Sequence, residues 1–188
     1  LKSQAIYPFT TPVKIMGFLD LLPSLLKGTV ITLEVLIGAA ILAAVMAFSA
    51  GWGRVSQVKP IRWISTVYVE IFRGTSALVQ LFWLFFVLPQ FGVELSPLAT
   101  AVIGLGLHIG AYGAEVFRGA IKNVPRGQYE AAKAIGLSRF KTMRKIIIPQ
   151  AVPAMMPPFT NLMVELLKAT SLVSLITLGD LTFSGQLL

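Results

Sequence analysis

Four stretches of this chain are apolar for twenty or more residues: 28–50, 61–88, 97–117 and 146–167. A helix needs about 20 such residues to cross a bilayer, and within the bilayer every backbone polar group must be satisfied inside its own segment or barrel. Runs of this length, in a 188-residue chain that is 55% hydrophobic, leave little sequence for a soluble domain. The expected fold is therefore all-α: a polytopic transmembrane helical bundle forming a single domain over 1–188. The first run has Glu34 as its only charge, and the second is interrupted by Glu70 and by Arg73-Gly74. The third carries His108 and Glu115 towards its end. The fourth holds Pro149, Pro153, Pro157 and Pro158, which should bend or break a helix, because proline lacks the amide hydrogen and its ring strikes the preceding turn. A further apolar run, 169–179, is too short to cross.

Sixteen Lys and Arg stand against eight Asp and Glu, giving a net charge of +8. Such a balance on a soluble domain would suit a nucleic acid. Here the charges sit between apolar runs, so the lipid bilayer is the expected partner and nucleic acid is not. With no Cys and one His, disulfides and thiolate metal sites are excluded, and no metal site is expected. The sequence begins at Leu1 rather than Met, and 1–18, with Pro8 and Pro12, lacks the apolar core of a signal peptide. The chain reads as a fragment.

Basic residues orient the bundle. Arg54, Lys59 and Arg62 occupy the first connection, none lies between Arg73 and Arg118, and eight of the sixteen fall between Arg118 and Lys145. The first and third connections should face the cytoplasm, with the N-terminus outside. The stretch 118–145 is also organised. Residues 127–135 read as a short helix preceded by Pro125, with Glu130 where the helix dipole favours an anion and Gly136 placed to end it. Ser138 is positioned to cap a second helix from Arg139. Small Ala131 and Ala132 would let one face of this knob press into a partner's groove.

The pattern Glu130-Ala131-Ala132, three residues, Gly136, nine residues, Ile146, one residue, Ile148-Pro149 resembles the EAA loop of the inner-membrane permeases of ABC importers. Ile148 stands where that family usually has Leu. Phe72-Arg73-Gly74-Thr75 with Leu78-Val79-Gln80-Leu81 is similar to the polar amino acid branch, Ser76 replacing its common Pro. So are 112–119 and Lys168-Ala169-Thr170-Ser171-Leu172, and together the matches cover roughly 28–185. The wording of 72–89 and 146–182 is most similar to permeases for ectoine-type compatible solutes. The resemblance implies a permease working as a dimer with an identical or related chain, in a bacterial cytoplasmic membrane. It implies an ABC ATPase dimer docked on the EAA loop, which binds the ATP and Mg, and an extracytoplasmic solute-binding protein. It implies coupling roles for Glu130, Ala131, Ala132, Gly136, Ile146, Ile148 and Pro149, and alternating access by rigid-body motion. No cofactor is expected on this chain, and no G-x-x-x-x-G-K-[ST] phosphate loop occurs in it. The branch usually has five spans, so a fifth is expected beyond the four found.

An ionisable group at the centre of a span costs roughly 2.5–3.5 kcal/mol on insertion scales and so needs a partner or water. Asn161, Glu165 and Lys168 share a helical face. Either Asn161 and Glu165 line the solute path, or a Glu165–Lys168 pair braces a proline-broken helix. Glu34 faces a neighbouring helix or the mouth of the path. Glu115 and Arg118, three apart, suit an interfacial ion pair. Arg73, beside the flexible Gly74, either braces a cytoplasmic gate or snorkels to the surface. His108, among Gly104, Gly106 and Gly110, suits a hydrogen-bonded packing role. Phe82-Trp83-Leu84-Phe85-Phe86 forms either an interfacial belt or an aromatic face for a cation.

Two other function classes fit less of the chain. A membrane-embedded enzyme using Glu165 or His108 lacks a nucleophile–base–orienter set. A scaffold or receptor whose basic loop binds anionic lipid or a signalling partner is the other alternative, and co-purification of an ATPase would separate it from a permease.

Overall fold

The computed structural model describes residues 18–176, with side chains from residue 25; the stretch 1–17 and the end of the 169–179 run lie outside it. All regular elements among the described residues are helical. The longest helix, α1 (Phe18–Val55), packs along its length on α4 (Pro97–Asn123). α1 presents Val35, Ala39, Ala43, Ala47 and Ala50, all buried, at three- and four-residue intervals. The α4 side of the seam is equally small. A Cβ on Gly106 would meet Leu42 at 2.8 Å, and one on Gly113 would meet the Ala47 methyl at 2.6 Å. Gly38 lies against Val102 and Gly51 against Phe117, so the two helices run parallel at close approach. Small residues suit such a seam because lipid supplies no hydrophobic drive between helices, leaving van der Waals packing to hold them. Ser96 caps α4 by accepting from the Ala99 amide, with Pro97 at its first turn.

The 61–88 run is not the single helix its hydropathy suggests. α2 (Lys59–Gly74) and α3 (Ala77–Phe82) are separated by Thr75 and Ser76 in extended conformation. α3 continues through a π-helical turn (Trp83–Val87) and a 3-10 turn (Leu88–Phe91). The two arms, Lys59–Gly74 and Ala77–Phe91, bend by 104°. Three other stretches, Leu25–Val55, Pro97–Asn123 and Arg139–Ile176, are long and apolar enough to cross a membrane, and the bent pair makes a fourth if it counts as one span.

The proline-rich segment departs from expectation in the opposite sense. α7 (Ile148–Ala169) is continuous, with Pro153, Pro157 and Pro158 inside it. Its buried residues Ala151, Met155, Leu162 and Leu166 form the face that packs on α4, while Pro149, Pro153 and Pro157 lie on the exposed side. The π-helical turn Met143–Ile147 precedes it, and there the Ile148 amide reaches the Met143 carbonyl five residues back. A wide turn of this kind shifts the hydrogen-bond register just where Pro149 has no amide hydrogen to give. After α7, a 3-10 turn (Thr170–Ile176) folds Val173 and Ile176 into the core beside Leu81, Leu105 and Leu166.

Candidate functional site

Between α4 and α7 lies a compact hairpin. Helix α5 (Arg126–Ala134) follows Pro125, and α6 (Arg139–Thr142) follows Ser138, whose hydroxyl accepts from the Lys141 amide. Gly136, at φ 72°, takes the left-handed conformation that ends α5. Its amide donates to Lys133 O and that of Leu137 to Ala132 O, the paired bonds of a glycine-terminated helix. Tyr129 anchors the hairpin. Its ring packs on the cluster of Phe117, Ile121, Ile147 and Met155, and its hydroxyl donates to Ile121 O at 3.4 Å. Burial raises its phenol above the ordinary range, with Arg139 opposing, so Tyr129 stays a neutral donor.

The two alanines of the motif part company. Ala132 is 1% exposed and packs inward, whereas Glu130, Ala131 and Ala134 face outward. The outward face is therefore not the Ala131–Ala132 pair. Beyond it stand Ile135 at 73% and Phe140 at 67% exposure, on a hairpin rich in Lys and Arg. Large apolar side chains this open, Ile135 between the candidate spans and Phe140 at the start of the last one, make a surface that a partner could cover. Of the motif's last residues, Ile146 and Ile148 are half-buried and Pro149 is exposed, while the intervening Ile147 is fully buried.

At the same end of the bundle a charge cluster ties three helices together. Glu115 on α4 takes Arg118, one turn on, through two nitrogens. Arg54, at the end of α1 and 11% exposed, brings Nη1 to 2.9 Å from Glu115 Oε2, off hydrogen-bonding angle, and its Nη2 reaches Glu70 on α2 at 3.4 Å. Arg73 lies 4.0 Å from Glu115 and 5.2 Å from the centre of the Tyr112 ring. Glu115 and Arg118 thus pair, and Arg73 turns inward onto α4 rather than only outward to the surface. Sequence reasoning missed Arg54 in this cluster. Its partners lie 16 and 61 positions away, and no local pattern marks them. Gly74 has a negative φ and open space around it, so its place in the chain does not require glycine.

One step above Arg73, Gln80 bridges the α2–α3 break. Its amide nitrogen donates to Phe72 O at 2.9 Å, to Thr75 Oγ1 at 2.6 Å and to Thr75 O at 3.3 Å. Its oxygen faces His108 Nδ1 at 3.2 Å. Because the Gln80 nitrogen is committed to acceptors, the oxygen accepts and His108 donates from Nδ1. His108 has the hydrogen-bonded packing role expected of it, and Glu165 lies within electrostatic reach of its ring.

On α7, Asn161, Glu165 and Lys168 are all exposed. Among the described residues no ion pair joins Glu165 to Lys168 within 4.0 Å. Glu34 is exposed on α1. In the aromatic cluster, Phe82 stacks on Phe86 at 5.4 Å and Phe85 meets Phe86 edge-on at 4.9 Å.

Residues 37–188 match the family model described as binding-protein-dependent transport system inner membrane component. The chain belongs to that family. Within it, the permease lies in the polar amino acid branch of ABC importers. It is 46% identical over 177 residues to a probable amino-acid ABC transporter permease, y4tF, of Sinorhizobium fredii, covering 91% of this chain and 74% of that one. It is 41% identical to the L-cystine transport system permease TcyB of Bacillus subtilis, covering 87% and 70%. Its fold superposes on a crystal structure of an amino acid ABC transporter with histidines at TM-score 0.85 and 32% identity, over 93% of this chain and 82% of that one. It also shares the fold of the MetNI methionine ABC transporter in its inward-facing form, at TM-score 0.71 and 21% identity. The permease is thus an all-α inner-membrane subunit of a transporter whose ATPase and partner permease are other chains.

The permease presents two candidate surfaces: the α5–α6 hairpin with Glu130, Ala131, Ala134, Ile135 and Phe140, and the exposed side of α7 with Asn161 and Glu165. Ile135 and Phe140 were missed in the sequence. Apolar side chains next to a membrane run read as part of the core until the hairpin's fold turns them out.

Proposed function

We propose that this permease moves a polar amino acid or a related small zwitterion across the bacterial cytoplasmic membrane by alternating access, driven by a separate ATPase docked on its EAA loop. The observation that supports it best is the α5–α6 hairpin, a glycine-terminated helix pair anchored by Tyr129 and Ala132 that leaves Ile135 and Phe140 uncovered. The ATPase binds ATP and Mg and holds this hairpin; a solute-binding protein delivers cargo from outside. Replacing Gly136 by Leu forces a branched side chain into a left-handed conformation, which strains the α5 terminus. Transport should fall by at least tenfold or so through lost docking, since misplaced contacts on a rigid knob are not regained elsewhere. Full uptake, with ATP hydrolysis still coupled, would overturn the assignment of this hairpin as the ATPase contact.

Asn161 and Glu165 are read as the solute-path residues. Both are exposed on one side of α7, no ion pair forms at Glu165 among the described residues, and a carboxylate in a span calls for water or a cation. Glu34 on α1 is a further path residue in this reading. The relatives named for cystine, arginine and octopine all handle solutes with ammonium and carboxylate groups. Within that class, an ectoine-type compatible solute is the finer reading. Uptake assays on the assembled importer with Glu165→Gln, competed with L-arginine, L-cystine and ectoine, test both points. Unchanged apparent affinity would remove Glu165 from the path, and absence of competition by ectoine would remove that solute.

A further inference from the structure

The two exposed flanks of α7 differ in chemistry. Ile148, Val152, Met156, Met163 and Leu167 line apolar grooves shared with α1. None of those grooves is lined by Pro149, Pro153, Pro157, Asn161 or Glu165, which follow one another at four-residue steps and form a single ridge. Every member of that ridge is exposed.

Proline at such steps has a consequence for the backbone. In an α-helix each carbonyl accepts from the amide four residues on, and a proline there has no hydrogen to give. The carbonyls of Pro149, Pro153 and Ala154 therefore face the rings of Pro153, Pro157 and Pro158, and their ordinary α-helical bonds cannot form. Among the described residues, no side chain donates to these three oxygens. Lipid has no donors, and a carbonyl turned to hydrocarbon costs several kcal/mol. Yet the helix is continuous through all three positions. Along the ridge, Pro149 O and Pro153 O are open to a donor from water or a solute, and the same ridge runs directly into Asn161 and Glu165.

We propose that the ridge from Pro149 through Pro153 and Pro157 to Asn161 and Glu165 is the wetted wall of the translocation path, on which proline-freed carbonyls accept hydrogen bonds from the ammonium group of the passing solute. This extends the reading of Asn161 and Glu165 as path residues, and rests on it. The path then has a carboxylate near the end of α7 far from the hairpin and neutral acceptors towards the hairpin end. A cation would be drawn in by Glu165 and released along weaker acceptors, without a second charge to trap it. Each step exchanges water for carbonyl and back, so no covalent chemistry is involved.

The chain has no cysteine, so single thiols can be introduced into the full-length permease and labelled in the assembled importer, its partners made cysteine-free. Pro153→Cys, Pro157→Cys and Asn161→Cys are compared with Met163→Cys and Leu167→Cys, using membrane-impermeant methanethiosulfonates bearing an ammonium or a sulfonate, without ATP and then with it. The expected result is that the first three label at least about tenfold faster than the last two, because only water-facing thiolates react. If Asn161→Cys labels while both proline positions stay silent, the ridge is covered by lipid or by a second copy of the chain. That overturns the proposal and leaves the Asn161 and Glu165 reading standing. If Asn161→Cys is silent as well in both states, the path reading itself fails. A second comparison reads the carbonyls. In Asn161→Cys, the preference for the ammonium over the sulfonate reagent should fall by about twofold or more when Pro157→Ala supplies an amide to Pro153 O. An unchanged preference would show that the wall is wet but that its carbonyls do not select cations.

Discussion

Two segments of this permease treat helix continuity in opposite ways. α7 contains three internal prolines and does not break, whereas the 61–88 run has no proline before Pro89 and turns through 104° at Thr75 and Ser76. The count of helix breakers therefore does not decide where a spanning segment bends. What decides it is where the displaced hydrogen bonds find substitutes. At the elbow, Gln80 gives its amide to the carbonyls of Phe72 and Thr75, and His108 on α4 holds Gln80 in place. Below it, Arg73 is tied to Tyr112 and Glu115 on the same helix. α4 thus acts as a splint for both arms. α7 is held instead by a continuous buried face, Ala151, Met155, Leu162 and Leu166, on the side away from Pro149, Pro153 and Pro157.

The largest effect is expected at the elbow. Gln80→Leu removes the donor to two carbonyls and the acceptor for the His108 ring. Orphaning part-buried polar groups costs about 1–3 kcal/mol each, so a loss of roughly 2–4 kcal/mol follows. It would appear as a lower thermal midpoint of the complex in detergent and reduced yield of folded protein. A midpoint equal to wild type would mean that packing of Leu81 and Leu84 on α4, rather than the Gln80 bridge, sets the bend.

α7 should respond with the opposite sign. Pro153→Ala restores the amide to Pro149 O and relieves a residue that costs about 3 kcal/mol in a helix interior relative to Ala. Much of that is already relaxed in the native helix, so a gain of about 1 kcal/mol is expected, read in the same thermal assay. If the midpoint falls instead, the exposed ring is packed against something outside this chain, and the contrast between the two segments narrows to one of partners.

Much of this arrangement was legible because it is local. The apolar runs 28–50 and 97–117 fall within α1 and α4, and the Ser138 cap and the Gly136 terminus are contained in a few consecutive residues. The elbow was not legible, because hydropathy runs unbroken through Thr75 and Ser76 and the residue that stabilises the break lies on α4. The fate of the prolines was hidden for a related reason. The rings of Pro149, Pro153 and Pro157 sit on one ridge, and whether that ridge faces water or lipid depends on the assembly. Ala131 and Ala132 are equivalent in composition and opposite in burial, a distinction that requires the docking of Tyr129 against Ile121. Arg54 joined the Glu115 cluster only once α1 and α4 were seen to run parallel.

The smallest expected effect tests whether the elbow is a joint or a fixed corner. Gly74 closes α2 with no positive φ, and an added Cβ would meet nothing within 4 Å. Gly74→Ala should therefore change stability by no more than about 0.5–1 kcal/mol, and in the stabilising direction, since Ala is the better helix former. The informative reading is the ratio of transport to stability. If the corner is fixed throughout the cycle, uptake follows the wild type, because no state demands a conformation that Ala resists. If uptake falls while the thermal midpoint holds or rises, some other state must take Gly74 to a backbone conformation closed to residues with a Cβ. The 104° bend would then be one position of a hinge. Arg73, next in sequence and held by Glu115 and Tyr112 in this state, would be the contact that hinge must break.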